Sequence, residues 1–102
     1  MGRISENDLR FMRSLKFEEC LSALNFSYKL DLTYSPRDKR SKRYLVYLDE
    51  FRVREFIVTG EKWFDLSKKI GGGGSIDLVM HLEGLSFRKA ISRLKSIMIL
   101  EN

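Results

Sequence analysis

Apolar residues near the start of the chain recur at helical spacing. Leu9 and Met12 lead into Phe17, Cys20, Leu21 and Leu24, which fall at i, i+3, i+4 and i+7. Ser5 with Asp8 three positions on is a capping-box signature that opens this segment, and residues 1 to 4 read as a frayed start. Neither Gly nor Pro lies between Ser14 and Phe17, so two helices broken there and one long helix both fit. The period then changes to two. Tyr28, Leu30, Leu32 and Tyr34 alternate with Ser27, Lys29, Asp31 and Thr33, the pattern of a half-buried strand, and Ser35-Pro36-Arg37-Asp38 ends it in a turn. Tyr44 to Leu48 forms the next strand and Asp49-Glu50 the next turn. Phe51 to Val58 follows, with Phe51, Val53 and Ile57 on one face and Arg52, Arg54, Phe56 and Val58 on the other. Thr59-Gly60-Glu61 reverses the chain into Lys62 to Leu66. Links this short join antiparallel strands, so the pattern predicts a meander of about four.

Gly71 to Gly74 reads as a loop, because consecutive glycines give a backbone freedom that a packed domain keeps for turns or close approach. Ser75 is placed as the N-cap of a following helix, with Asp77 in its first turn. Phe87, Ala90, Ile91 and Leu94 give a second helix its apolar face. Ile97 to Leu100 either extends that helix or adds an edge strand. The expected fold class is α+β: an antiparallel sheet of about four strands with flanking helices.

Composition narrows the picture. The chain has 102 residues, 43% of them hydrophobic, which fits one domain with a single modest core. The lone cysteine excludes an intrachain disulfide framework and fits a reducing, cytoplasmic setting. No long apolar run or signal-peptide pattern is present, so no membrane partner is expected. A net charge of +5 suits a polyanionic partner.

No catalytic constellation stands out, and the chain is read as a non-enzyme without a cofactor. His81 is the single histidine and reads as structural or exposed. Asp65 and Asp77 flank the glycines but lack a third ligand for a metal. The glycine run lacks the order of a P-loop and is followed by an acid, so a structural turn is favoured over phosphate binding. Cys20 reads as a buried thiol. The stronger constellation is basic and aromatic. Arg52, Arg54, Lys62, Trp63, Lys68 and Lys69 fall on or beside the predicted hairpin, and Arg37, Lys39, Arg40, Lys42 and Arg43 extend the set. Cations with aromatic faces are what single-stranded nucleic acid needs. Tyr47 and Trp63 are candidate stacking platforms, although Trp63 fits the core as well. The Arg37–Arg43 run is either a solvated hairpin loop or a phosphate contact.

Trp63-Phe64-Asp65, the glycines, Ile76-Asp77-Leu78-Val79-Met80 and Leu85-Ser86-Phe87-Arg88-Lys89-Ala90 together resemble the zinc-binding domain of bacterial primases. They are more similar still to its zinc-less relatives beside Toprim domains in primase-like proteins of plasmids and mobile elements. The resemblance covers roughly residues 43 to 95 and implies a zinc-ribbon-like fold that helps recognise a single-stranded template beside a catalytic partner. The family's Cys-x-x-His and Cys-x-x-Cys pairs align with Val46 and Asp49 and with Leu66 and Lys69, so no zinc is expected and apolar packing at Leu66 is expected instead. Two functions remain open: a non-catalytic module for nucleic acid, foremost single-stranded DNA, in a primase-like replication or mobile-element system, and a module that docks on a replication or transfer protein.

Overall fold

The computed structural model describes residues 5–101, and the frayed start expected at residues 1–4 lies outside them. Ser5 caps α1 (Glu6–Ser14), its Oγ accepting the Asp8 N–H at 3.0 Å, with Glu6 and Asp8 at the helix's positive end. The chain does break, at Leu15 and Lys16, both extended. The Lys16 N–H goes to the Glu19 carboxylate at 2.8 Å, and α2 (Phe17–Ala23) starts afresh. Asn25 ends α2 at φ 64°. Its N–H reaches Ser22 O and the Phe26 N–H reaches Leu21 O, the paired bonds of a Schellman motif.

The sheet has five strands rather than about four: β1 (Ser27–Leu30), β2 (Ser41–Tyr47), β3 (Val53–Thr59), β4 (Lys62–Asp65) and β5 (Ile70–Gly73), antiparallel and in chain order. The extra strand is the glycine run, expected as a loop. Ile70 to Gly73 pairs residue by residue with Asp65 to Lys62. The first strand is shorter than the alternation predicted. The Asp31 carboxylate accepts the Thr33 N–H at 2.9 Å and its hydroxyl at 2.6 Å, folding the chain out of the sheet and leaving Leu32 87% exposed. Phe51 likewise leaves β3 for the turn, where Asp49 accepts the Phe51 and Arg52 N–H groups.

Register fixes the faces. Tyr44 pairs with Phe56 and Val58 with Trp63, so these side chains point one way, as the period of two in 53–58 predicts. The four helices cover that face. α3 (Gly74–Glu83) is the hub, with α1, α2 and α4 (Phe87–Glu101) packed on it, and Phe56, Leu21, Val79 and Leu94 are fully buried between the layers. α4 runs through Ile97–Leu100, which therefore extends the helix. Ser75 is not the N-cap of α3; Gly73 is. Ser75 lies buried in the first turn and its hydroxyl donates to the Met12 carbonyl, tying α3 to α1. The opposite sheet face carries Arg43, Leu45, Tyr47, Ile57 and Phe64, none of them fully buried, and no described element lies over it.

Candidate nucleic-acid interface

The aromatic pair in β4 explains the glycines beside it. Trp63 points into the core opposite Gly72, and Phe64 points to the open face opposite Gly71. A Cβ at position 72 would sit 2.5 Å from Trp63 Cζ2, and one at position 71 would sit 3.1 Å from Phe64 Cδ1. Each ring occupies the place of a side chain on the next strand. Trp63 also donates from Nε1 to the Gly74 carbonyl at 3.2 Å and stacks on His81 with ring centroids 5.2 Å apart. At 5% exposure it packs in the core and presents no free face to a base, so its place as a stacking platform is withdrawn.

Arg54 also leaves the candidate surface. It lies on the helix-covered face, 3.5 Å from the carboxylate of Asp65, which is fully buried. Asp65 further accepts from His81 Nε2 at 2.7 Å and from the N–H groups of Ser67 and Lys68, which sets the turn between β4 and β5. His81 is therefore a structural partner. Asp77 bonds the Gly73 N–H at 3.2 Å, so the two acids flanking the glycines do separate work. Of the positions where the resemblance places ligands, Val46 is in the core, whereas Leu66 is 40% exposed and not packed as expected. Among the described residues, no group of three or more His, Cys, Asp or Glu is placed to hold a metal ion.

The remaining cations do not form one patch. The register aligns Ser41, Thr59, Lys62 and Gly73 at one end of the sheet, where the loop carrying Arg37, Lys39 and Arg40 also enters, and Lys42 follows at once. Arg52 lies at the turn beyond the far end of β2, about 20 Å from Ser41, and Lys68 and Lys69 lie at the turn beyond β4, about 10 Å along the strand from Lys62 at the rise of a β-strand. Arg43 sits on the open face between Asp31 at 2.6 Å and Glu55 at 2.8 Å. The hydroxyl and N–H of Thr33, then Arg43, hold the Asp31 carboxyl down at about 2. Arg40 pairs with Asp38 at 2.9 Å and Arg52 with Asp49 at 2.6 Å, both at exposed sites where such pairs exchange readily. Arg37, Lys39, Lys42, Lys62, Lys68 and Lys69 form no ion pair with any described residue.

The Ser41 end is also where the molecule is concave. The end of α1, the start of α2 and the first turns of α3 meet the sheet there around a cleft of about 680 Å³. Its floor is Phe17, Tyr44, Val58, Trp63 and Leu78, and its rim carries Arg13, Lys16, Arg40 and Lys42, with Glu18 and Glu61 also lining it. Glu18 accepts the hydroxyls of Tyr28 and Tyr44, which fix the orientation of its carboxylate. Gly60 (φ 62°) and Gly74 (φ 80°) at the mouth take the left-handed backbone that favours glycine. Arg13 and Lys16 were absent from the sequence-derived set. They flank the break between α1 and α2, and only the packing of that joint against the sheet brings them beside Arg40 and Lys42. Compared with known proteins, the chain matches no family model, no curated protein and no solved structure.

Proposed function

We propose that this chain is a non-catalytic module that binds single-stranded DNA at the Ser41 end of its sheet. The observation that carries the reading is the convergence of Arg13, Lys16, Arg40 and Lys42, from α1, the helix joint, the β1–β2 loop and β2, on one cleft with an apolar, aromatic floor. Arg37, Lys39 and Lys62 lie at the same end and extend the positive surface. Cations of this density attract a phosphate backbone, and apolar walls give unstacked bases a place to leave water. The resemblance to primase zinc-binding domains points the same way and suggests a primase-like replication or mobile-element setting, with a catalytic Toprim or primase protein as partner. A single-stranded DNA of about 20 nucleotides, titrated by fluorescence anisotropy at rising salt, tests this. Saturable binding that weakens with salt and with Lys42→Glu supports it; no binding at low salt defeats it.

The open sheet face favours a second reading, docking on another protein. Val53 and Phe64 are 45% and 41% exposed there, beside Leu45 and Ile57, and the face's one arginine is neutralised by Asp31 and Glu55. Loss of DNA binding on Lys42→Glu with no effect of Phe64→Ser assigns the DNA to the cleft end and leaves the open face for a protein.

A further inference from the structure

We infer that the cleft takes one whole nucleotide, its base against the apolar floor and its phosphate among Arg13, Lys16 and Lys42, and that this pocket makes the module select unpaired strands. The inference rests on the nucleic-acid reading above and deepens it. The size fits: about 680 Å³ lies within the range of small-molecule sites, roughly 300–1,000 Å³. The lining is divided as a nucleotide is. The half-buried Phe17 ring is the accessible part of the apolar floor, its centroid 5.1 Å from that of Tyr44, and the nearly buried Tyr44, Val58 and Trp63 back it. The cations stand at the rim and come from separate elements, so they surround the mouth rather than line a flat track. Arg13, Lys16 and Lys42 have no ion-pair partner among the described residues and are exposed. Glu61 at the mouth forms no ion pair with a described residue and offers an acceptor for an exocyclic amino group. A base enters such a pocket only when it is out of a duplex. A duplex therefore meets the rim cations but cannot reach the floor.

The cleft has a built-in reporter, because Trp63 is the sole tryptophan and an edge of it lines the floor. The full chain is titrated with dAMP, deoxyadenosine and inorganic phosphate while Trp63 fluorescence is followed. A single strand and its duplex are compared in parallel by anisotropy. The inference expects a saturable Trp63 change with dAMP, about tenfold weaker binding of deoxyadenosine, no fluorescence change with phosphate alone, and about tenfold preference for the single strand, in line with the stacking of one base. Ser14→Phe, which adds a ring at the mouth, removes most of that preference, whereas Lys42→Ala weakens strand and duplex alike; both variants keep the fold by circular dichroism. Equal affinity for strand and duplex, with Trp63 silent to dAMP, overturns the nucleotide pocket and leaves the DNA-binding reading standing. Failure of every oligonucleotide to bind overturns both.

Discussion

Trp63 occupies the space that a side chain at position 72 would need, with Cζ2 2.5 Å from where the Gly72 Cβ would stand. The indole cannot step aside, because His81 stacks on it and its N–H is held by the Gly74 carbonyl. Gly72→Ala should therefore cost about 1–3 kcal/mol, as overpacking of a tight core does. Gly71→Ala is tight only against Phe64, whose exposed ring can shift, with the Trp63 carbonyl at an ordinary 3.5 Å, and the lower chain entropy of alanine offsets part of the cost, about 0.5–1 kcal/mol. Urea unfolding of the two variants should separate them clearly. Trp63→Phe in the Gly72→Ala background should recover part of the loss. Equal costs at 71 and 72 would sink this account of the glycines.

The same pair shows what the sequence conceals. A glycine run announces freedom, and freedom reads as a loop; only the neighbouring strand reveals that Trp63 and Phe64 need bare backbone beside them. The alternation in 53–58 was legible because its two faces meet different surroundings, core and solvent. The alternation at Leu32 and Tyr34 looked equally good and failed, since Asp31 captures the Thr33 N–H locally before the ladder can use the chain. The basic residues were legible as a set but not as a surface. Lys68 and Lys69 lie past the far end of β4, two strands away from Lys42 on β2, ion pairing removes Arg43 and Arg54, and the helix joint supplies Arg13 and Lys16 from distant sequence.

Asp65 is the polar centre of the helix-covered face. Removing it leaves Arg54 without an ion-pair partner among the described residues, His81 without its acceptor and two turn N–H groups without theirs. Asp65→Ala should cost about 3–5 kcal/mol, the scale for one partner lost from a buried pair. Asp65→Asn keeps an acceptor for the turn and should cost less. Thermal unfolding gives the order. An alanine variant as stable as the parent would show that the network is incidental.

Burial, and then the nearby charge of Glu83, push the Cys20 thiol up to about 12. The fold thus prefers the protonated thiol, while the unfolded chain releases its proton near the ordinary thiol value of about 8.5. Its contribution to stability is complete below that value and is lost as pH rises toward 12. Unfolding free energy measured between pH 8 and 11 should fall more steeply for the parent than for Cys20→Ala. In the native state at pH 8 the thiol should resist a disulfide reagent that labels it at once in urea; rapid native labelling would contradict the burial.

Asp31 gives the opposite sign. Its carboxyl is held at about 2 by Thr33 and then Arg43, below the unfolded value of about 3.9, so its share of stability is present above pH 4 and lost as pH falls through 2. The Thr33 amide resonance should move between pH 4 and 2 and should be static over that range in Asp31→Asn. Movement centred at 4 or above would mean that the bonds to Thr33 and Arg43 do not persist in solution.

The location of the DNA site follows from two charge reversals matched in size. Arg13→Glu with Lys16→Glu, and Lys68→Glu with Lys69→Glu, lower the net charge equally, so general repulsion of a polyanion is common to both. Only the first pair changes the cleft rim. If phosphates are held there, the first variant should lose about tenfold or more beyond the second. Its affinity should also fall less steeply with salt, by about 0.7 in logarithmic slope for each phosphate contact removed from a single strand. Equal losses with parallel slopes would mean that DNA responds to overall charge and has no seat at the Ser41 end. A larger loss from Lys68 and Lys69 would move the site to the turn set by Asp65, where Arg52 lies at the same end of the sheet.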